Sequence, residues 1–267
     1  MNSIDKLMSL NGRVAVVTGG AGYIGSALCE ALGEVGAKVC ILDVDKEKAD
    51  KLSSDMISKR GIDSLPVGID LFDEDQIRKV PDIVLKQYHR MDIIVNCAAL
   101  VGTSELKGWT TPFEEQSSGT WRKALEINLT AAFVLIQASL PALRKNSKGS
   151  IINISSQHGM VGPDMRFYED TQMGNPAAYA VSKGGLIQFT RWLATVLAPE
   201  IRVNAISPGG IERNQPEIFK KRYVNQTPLK RMATEEDIKG AAVYLASDLS
   251  SYVTGQNIVI DGGFTSW

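Results

Sequence analysis

The sequence predicts a single-domain α/β fold with a doubly wound, mostly parallel sheet. Seven short runs rich in β-branched residues recur along the chain, at residues 14–17, 38–42, 65–69, 93–96, 150–154, 203–206 and 258–260. Several of these runs are apolar at consecutive positions, as expected of strands that are buried on both faces of a parallel sheet. Stretches with helical periodicity separate the runs. This alternation of strand and helix is typical of a doubly wound sheet.

The stretches between the runs carry the start signals of helices. Helical periodicity is clear at residues 73–88, 121–143, 176–197 and 234–249. Asp73 and Thr234 can accept hydrogen bonds from first-turn amides as N-caps, and Pro176 suits the start of a helix. No linker, repeat or low-complexity tract divides the sequence, so we expect residues 1–267 to form one domain.

The composition excludes several classes of partner. The 267 residues are 44% hydrophobic and 22% charged, which is enough apolar material for a large core. The 29 Lys and Arg residues nearly balance the 30 Asp and Glu residues, so the cationic excess of a nucleic-acid-binding protein is absent. No run reaches the roughly 18 apolar residues of a membrane span, and the N-terminus has no apolar signal core. We therefore expect a cytoplasmic protein with neither nucleic acid nor membrane as partner.

Cysteine and histidine usage argues against a metal centre. Cys29, Cys40 and Cys97 are far apart and form no Cys-x-x-Cys pair, which indicates neither a disulfide framework nor a zinc site. We interpret all three as small buried hydrophobic residues. The 2 histidines, His89 and His158, are too few for a multi-histidine site. No metal is expected, and the chemistry must come from hydroxyls, carboxylates, lysine or a bound cofactor.

A glycine-rich loop follows the first predicted strand. Residues 18–25 read Thr-Gly-Gly-Ala-Gly-Tyr-Ile-Gly, and a helix-compatible stretch follows at residues 26–34. Gly20, Gly22 and Gly25 fit the pattern Gly-x-Gly-x-x-Gly, which lets backbone amides and a helix N-terminus approach a pyrophosphate. The alternative is a strand-to-helix turn without a ligand. The position between first strand and first helix favours a Rossmann-type dinucleotide site.

An acidic residue ends the second predicted strand. Asp43 lies 18 residues after Gly25, close to where a ribose-binding carboxylate belongs. Such a carboxylate accepts hydrogen bonds from the adenosine diol and repels a 2′-phosphate. Because the next basic residue is Lys46, we expect NAD as cofactor in preference to NADP. The alternative is that Asp43 caps the following helix.

A second group of polar residues lies in the middle of the chain. Tyr179 and Lys183 are four residues apart in the predicted helix 176–197 and therefore share a face. Such a pair arises often by chance, so the context decides its weight. Ser155 and Ser156 follow the run 150–154, at the carboxyl end of a strand, where doubly wound sheets bind their ligands.

Together these motifs resemble the short-chain dehydrogenase/reductase family over nearly the whole chain, from Arg13 to Gly263. The matching pieces occur in the family's order: the glycine loop, Asp70 with Leu71, residues 96–99, Asn128, residues 154–156, Tyr179 with Lys183, Asn204 with Pro208 and Gly209, residues 253–256 and residues 261–263. The ordered set is far more specific than any single piece.

The resemblance implies catalytic roles for four side chains. Tyr179 corresponds to the acid/base, Ser156 to the hydroxyl that holds the substrate oxygen, Lys183 to the ribose ligand and charge partner of Tyr179, and Asn128 to the water-holding member of a proton relay. A free tyrosine has a pKa of about 10, and a nearby ammonium favours the phenolate. We therefore expect Lys183 to lower the pKa of Tyr179.

The resemblance also implies a set of NAD contacts. Asp70 and Leu71 correspond to residues at the adenine, and the remaining positions run along the cofactor. The full expected set is Gly19, Gly22, Tyr23, Ile24, Gly25, Asp43, Asp70, Leu71, Asn96, Ala98, Tyr179, Lys183, Pro208, Gly209 and Ile211.

The glycine loop departs from the single-domain branch of the family. Tyr23 stands where that branch has a glycine, and the spacing of Gly19, Gly22 and Gly25 resembles the extended branch, which acts on nucleotide sugars. Too few residues follow Lys183 for the larger substrate region of an extended enzyme. We therefore expect the single-domain branch.

Two stretches, residues 157–175 and 209–231, fit the alternation badly and are predicted to be substrate loops. The first is longer than is typical of the single-domain branch and includes five polar residues: Asp164, Arg166, Tyr168, Glu169 and Asp170. Such polarity suits a hydroxyl-rich or charged substrate, and a solvated flap is the alternative. Basic residues of the second stretch could meet a phosphate or carboxylate or form a solvated helix face: Arg213, Lys220, Lys221 and Arg222.

The sequence thus predicts an NAD(H)-dependent oxidoreductase that interconverts a secondary alcohol and a ketone. The long insert resembles that of family members associated with surface-glycan or flagellar sugar metabolism, which favours a carbohydrate derivative as the small-molecule substrate. A 3-oxoacyl thioester reductase is the alternative, although it would more naturally use NADPH. A catalytically silent dinucleotide-sensing protein is a third hypothesis. By resemblance we expect a homo-oligomer, dimer or tetramer, with residues 121–143 and 176–197 as candidate faces.

Overall fold

A computed structural model describes residues 1–101, 106–145 and 148–267 of the chain. The described residues form a seven-stranded sheet with the order β3-β2-β1-β4-β5-β6-β7. All neighbouring strands are paired in parallel. The strands are β1 Val14–Thr18, β2 Lys38–Asp43, β3 Ser64–Gly68, β4 Ile93–Asn96, β5 Gly149–Ile154, β6 Ile201–Pro208 and β7 Asn257–Ile260. The predicted single-domain, doubly wound α/β fold is confirmed.

Helices cover both faces of the sheet. They are α1 Ile4–Met8, α2 Tyr23–Glu34, α3 Lys46–Arg60, α4 Glu74–Tyr88, α5 Ser118–Leu125, α6 Ala131–Arg144, α7 Ala177–Leu197, α8 Glu217–Gln226 and α9 Glu236–Ala246. Val14 and Val16 of β1 pack into a core with α4, α6 and α7, whereas Ala15 and Val17 pack into a second core with α2 and α9. Both faces of β1 are therefore buried, which explains its unbroken apolar run.

The strand order changes direction at β1. The chain builds outward from β1 through β2 to β3 and then returns to place β4 on the other side of β1. The connections after β1 and β4 therefore leave the sheet on opposite faces and open a crevice at the carboxyl ends of these two strands. This crevice is where the fold itself places a ligand site.

Two predicted helices differ from the observed ones. The helix predicted at 234–249 is α9, which ends at Ala246, and Asp248–Ser250 forms a separate 3₁₀ turn. The reason is Arg202, whose Nη2 donates to the carbonyls of Leu245 at 2.9 Å and Ser247 at 3.2 Å, in place of another helical turn. The helix predicted at 121–143 is interrupted by a π turn over Glu126–Thr130.

Of the two predicted side-chain N-caps, the structure confirms Asp73 and not Thr234. The Asp73 side chain accepts from the Gln76 amide at 3.1 Å and caps α4 as predicted. Thr234 does not cap α9; its amide instead donates to Asp237 Oδ2 at 2.8 Å. The Thr234 hydroxyl does not accept from a first-turn amide but lies 3.2 Å from the same carboxylate oxygen, to which it donates.

The cysteines are free thiols, as predicted. Cys29 and Cys40 are buried, whereas Cys97 is half-buried. Burial raises the pKa of Cys40 to about 12, so this side chain behaves as a small neutral hydrophobic group.

One helical stretch has the length and composition of a membrane span. Ser118–Arg144 has a window of mean hydropathy 1.4, of which 44% is buried inside the protein. Leu135 and Leu143 of this stretch are fully buried against the sheet. The stretch therefore contributes to the core between α4 and α7.

Candidate functional site

Apart from Tyr179 and Lys183, which lie on α7, the expected cofactor contacts lie at or just after strand ends at the carboxyl edge of the sheet. The glycine loop follows β1, Asp43 ends β2, Asp70 and Leu71 follow β3, Asn96 ends β4 and precedes Ala98, and Pro208 ends β6 and precedes Gly209 and Ile211. Leu71, Asn96 and Ala98 border one small recess together with Asn128. The structure thus brings the expected set to a single edge, beside the crevice between β1 and β4.

The glycine loop is packed against the start of α2. Gly19 has φ 60°, in the left-handed region that favours glycine. A Cβ atom on Gly25 would lie 2.0 Å from the carbonyl oxygen of Gly19, so the helix reaches the loop only because residue 25 has no side chain. These two glycines set the path of the backbone at the mouth of the crevice.

The start of α2 is suited to an anion. Its N-cap is Gly22, which makes no side-chain capping bond, and the first turn contains no acidic residue. The first N–H groups of a helix have no intrahelical partner, and the helix dipole favours negative charge there. The residues present therefore fit the pyrophosphate of a dinucleotide, which needs close backbone approach and N–H donors.

Asp43 holds a fixed carboxylate at the end of β2. Its Oδ2 accepts from the Ala21 amide at 3.0 Å and its Oδ1 accepts from the Asp45 amide at 3.0 Å. Asp45, and not Asp43, caps α3 by accepting from the Lys48 amide at 3.1 Å. The helix-capping alternative for Asp43 is therefore wrong. Each carboxylate oxygen retains a second acceptor position, which a ribose diol could use.

Tyr179, Ser156 and Lys183 converge beside the crevice. Tyr179 and Lys183 lie on α7, and Ser156 follows β5. Ser156 and Tyr179 line the same cavity, and the Ser156 hydroxyl is close enough to affect the pKa of the Tyr179 phenol. Lys183 Nζ lies 5.8 Å from the centroid of the Tyr179 ring. The three groups predicted from the sequence are thus brought together.

The electrostatics of this cluster differ from the expectation. Burial raises the pKa of Tyr179 above its ordinary value, and the nearby Ser156 hydroxyl offsets this rise only in part. Lys183 Nζ donates to the carbonyl of Ile154 at 2.8 Å, and burial lowers the pKa of Lys183 to about 8. The expected lowering of the Tyr179 pKa by Lys183 is therefore absent from this geometry, because the ammonium is directed at a backbone carbonyl.

Asn128 lies in the π turn between α5 and α6 and is buried. Its Oδ1 accepts from the Leu100 amide at 2.7 Å, and its Nδ2 donates to the Leu100 carbonyl at 3.1 Å and to Ser182 Oγ at 3.0 Å. The side chain thus joins the segment after β4 to α7, one residue before Lys183. A π turn in the middle of a helical stretch frequently marks a functional position.

A cavity of about 510 Å³ opens in front of Ser156 and Tyr179. Both predicted substrate loops border it. Residues 157–175 contribute Gln157, His158, Phe167, Tyr168, Met173, Gly174 and Asn175, and residues 209–231 contribute Gly209, Gly210, Ile211, Arg213, Asn214, Gln215, Pro216, Phe219 and Tyr223. Tyr23 and Ile24 of the glycine loop complete the wall towards the crevice.

Most polar residues of the first substrate loop face away from the cavity. Among the five predicted to polarise the site, only Tyr168 lines it. Asp164 and Arg166 pair with each other at 2.6 Å, and Arg222 binds Asp170 at 3.0 Å. For the four charged residues the structure agrees with the alternative of a solvated flap, because none of them lines the cavity and three of them form ion pairs. Lys220 of α8 is likewise paired, with Glu212 and Glu217.

Apart from Arg213, the polar side chains that line the cavity among the described residues are neutral. Burial lowers the pKa of His158 to about 4, so this imidazole is uncharged at neutral pH, and its Nδ1 is buried without a partner among the described residues. Asn175 Oδ1 is likewise buried and unpartnered, and its Nδ2 lies 3.5 Å from Tyr168 Oη.

Sequence reasoning missed the residues that join the two loops. Tyr223 Oη donates to Gln157 Oε1 at 2.9 Å and accepts from the Gly210 amide at 2.5 Å. Its ring stacks on Phe264 with centroids 4.7 Å apart. The contact depends on how α8 packs, for which no local motif exists. Among the described residues no cluster of three or more His, Cys, Asp or Glu side chains could hold a metal ion.

Comparison with known proteins adds a family and several relatives. The family described as "Enoyl-(Acyl carrier protein) reductase" matches residues 19–265. "3-oxoacyl-[acyl-carrier-protein] reductase FabG" of Aquifex aeolicus is 33% identical, with 96% of this chain and 98% of the relative covered. "Post-translational flagellin modification protein A" of Campylobacter coli is 31% identical, with 96% and 99% covered.

Two solved structures are similar over nearly their whole length. A short-chain dehydrogenase from Leptospira borgpetersenii with bound NAD⁺ has a TM-score of 0.85 and 35% identity, with 99% of this chain and 96% of that chain covered. A gluconate 5-dehydrogenase from Burkholderia cenocepacia in complex with NADP and tartrate has a TM-score of 0.88 and 27% identity, with 99% and 100% covered.

Proposed function

Because the chain belongs to the short-chain dehydrogenase/reductase family of oxidoreductases, we propose that it interconverts a secondary alcohol and a ketone with NAD(H), acting on a carbohydrate derivative. The observation that carries this proposal is that Ser156 and Tyr179 line one wall of the cavity, with Lys183 Nζ 5.8 Å from the centroid of the Tyr179 ring. The cavity lies directly beside the crevice in which the fold accommodates a dinucleotide.

In the proposed reaction Tyr179 exchanges a proton with the substrate oxygen, and Ser156 holds that oxygen by a hydrogen bond. The bound nicotinamide supplies or accepts the hydride. For alcohol oxidation the pKa of Tyr179 must fall from its raised value. The Lys183 ammonium is the cation able to lower it, because at about 4 Å and an effective dielectric of about 20 a unit charge pair gains roughly 4 kcal/mol. Asn128 is the proposed holder of the relay water.

The proposed cofactor is NAD. Asp43 presents a negative carboxylate, fixed by two backbone amides, at the end of β2. Such a group accepts hydrogen bonds from a 2′,3′-diol and repels a 2′-phosphate. The proposed cofactor ligands are those expected from the sequence, from Gly19 to Ile211.

The interior of the cavity supports a hydroxyl-rich substrate. Tyr168, Asn175 and Gln157 supply neutral donors and acceptors, and Phe167 and Phe219 supply apolar faces. The similarity to a gluconate dehydrogenase and to a flagellin modification protein agrees with a carbohydrate, in surface-glycan or flagellar sugar metabolism. The similarity to a 3-oxoacyl thioester reductase makes that activity the second candidate. A silent dinucleotide sensor would have no need of Ser156, Tyr179 and Lys183 together.

We also propose that the protein is a cytoplasmic homo-oligomer, dimer or tetramer. Apolar side chains on α6 and α7 remain exposed, among them Phe133 at 46% and Trp192 at 58%. The Phe189 ring contacts both of these rings, at 6.1 Å and 6.5 Å between centroids. A contiguous aromatic surface of this kind is typical of a protein interface.

The proposed reaction is tested by nicotinamide absorbance with a substrate panel. The protein is offered NAD or NADP with free, phosphorylated and nucleotide-linked sugars and with 3-hydroxyacyl thioesters. We expect turnover of a sugar with NAD.

Tyr179→Phe should lower kcat by at least about 100-fold without changing cofactor affinity, because only the proton transfer is lost. The fully exposed Tyr252 provides the control, Tyr252→Phe, which should leave kcat unchanged. Turnover of a thioester with NADP would contradict both assignments of specificity.

The role of Asp43 is tested by equilibrium binding of NADH and NADPH. The wild-type protein should bind NADH at least about 10-fold more tightly, because the 2′-phosphate meets a fixed negative charge. Asp43→Asn keeps the shape and removes the charge, so the preference should shrink. Asp45→Asn, two residues away at the cap of α3, should leave the ratio unchanged. Tighter binding of NADPH by the wild-type protein would refute the assignment.

The oligomer is tested by sedimentation velocity. The wild-type protein should sediment as a dimer or tetramer, and Trp192→Glu should raise the dissociation constant at least about 10-fold by placing a charge in the interface. Tyr252→Glu, a change at an exposed aromatic residue outside α6 and α7, should have no effect. A monomeric wild-type protein would rule out the proposed interface.

A further inference from the structure

Arg213 of the second substrate loop contacts the glycine loop. Its guanidinium carbon lies 4.0 Å from the centroid of the Tyr23 ring, a cation–π distance, and Tyr23 is the first residue of α2. Arg213 Nη1 also binds Glu235 Oε1 at 2.5 Å, just before α9. Arg213 therefore links the second substrate loop to the start of α2.

The guanidinium retains free donor capacity. Only Nη1 has a hydrogen-bond partner in the described part of the chain, so Nε and Nη2 are unpaired there. The side chain is 29% exposed and lines the cavity. Because His158 is neutral, Arg213 carries the only formal charge among the described residues that line this cavity.

The charge of Arg213 reaches the interior of the crevice. Burial raises the pKa of Cys97 to about 12, against the opposing influence of Lys183 and Arg213 and with a further contribution from Asp43. Cys97, just after β4, thus lies within electrostatic range of all three charged groups. A dinucleotide with one ribose at Asp43 and the other at Lys183 would have its pyrophosphate between these two residues, because the pyrophosphate joins the two riboses.

We propose that Arg213 is a ligand of the dinucleotide's pyrophosphate, which it holds against the first turn of α2. This inference rests on the proposed dinucleotide binding and extends it to a residue outside the set expected from the sequence. A guanidinium binds phosphate oxygens through two parallel N–H donors, and such charge-assisted bonds are stronger than those of neutral amides. Glu235 binds Nη1 and the Tyr23 ring covers one face, so these two contacts fix the orientation of the guanidinium. The edge formed by Nε and Nη2 remains available for a phosphate.

The other basic residues of the loop do not share these properties. Arg222 donates to the Glu169 carbonyl and to Asp170 at 3.0 Å, and Lys220 is paired with Glu212 and Glu217. Neither Arg222 nor Lys220 lines the cavity. Arg222 therefore provides a matched control: an arginine of the same loop, with an acidic partner, whose charge is turned away from the crevice.

The test is direct ligand binding, by fluorescence and calorimetry, with no substrate present. The ligands are NADH, NADPH, ADP-ribose and adenosine. Arg213→Ala should weaken binding of the first three by one common factor of about 10- to 100-fold, because all three contain the pyrophosphate. Adenosine, which lacks it, should bind unchanged. Arg213→Lys should lose less, since it keeps the charge without the paired donors, and Arg222→Ala should match the wild-type protein.

The outcomes separate this inference from the proposed function. A wild-type protein that binds no dinucleotide would contradict both. A wild-type protein that binds NADH with unchanged affinity after Arg213→Ala would overturn the inference alone. If Arg213→Ala weakened the binding of NADPH only, Arg213 would be assigned to the 2′-phosphate. If it weakened the binding of adenosine equally, the crevice as a whole would be distorted. Either result would overturn the pyrophosphate assignment. The melting temperature of each variant shows whether it is folded. If Arg213→Ala is unfolded, the conservative variant Arg213→Lys provides the test.

Discussion

The reversal of strand order at β1 is the constraint on which the rest of the structure depends. Because β2 and β4 flank β1, the segments after β1 and β4 diverge, and the carboxyl edge between them cannot be filled by either connection. Gly25 then lets α2 begin in direct contact with the glycine loop, so its free N–H groups face the opening. The glycine loop, Asp43 and Ser156 reach this edge at strand ends, Tyr179 and Lys183 reach it on α7, and Asn128 reaches it in the π turn between α5 and α6.

Burial sets the chemistry of the site. Lys183 is almost fully buried and its only hydrogen-bond partner in the described chain is the neutral carbonyl of Ile154, so its charged form is destabilised. Tyr179 is destabilised as a phenolate for the same reason. Burial therefore destabilises the charged form of both groups, although a Lys183 pKa of about 8 still leaves the amine mostly protonated at neutral pH. In our account the bound dinucleotide completes the site, since it brings negative phosphates and ribose hydroxyls next to these residues.

Features encoded by local sequence were predictable, and features created by long-range packing were not. The β-branched runs predicted every strand, and the runs of the central strands β1, β4 and β5 are unbroken because these strands are buried on both faces of the sheet. The position of the glycine loop between β1 and α2, and that of Asp43 at the end of β2, could be predicted from residue spacing. By contrast, Arg202 ends α9 from a distant strand, and Asp164 and Arg166 pair at the surface instead of facing the cavity. The raised pKa of Tyr179 depends on burial, which spacing does not reveal.

The most direct test of the account is a crystal structure of the protein with NAD⁺. The account predicts the dinucleotide along the carboxyl edge of the sheet, with its adenosine ribose at Asp43 and its nicotinamide beside Tyr179. Lys183 Nζ should then leave the Ile154 carbonyl, to which it is bound at 2.8 Å in the present structure, and bind the nicotinamide ribose. A dinucleotide bound elsewhere, or a Lys183 that remains on Ile154 with NAD⁺ in place, would contradict the proposed mechanism.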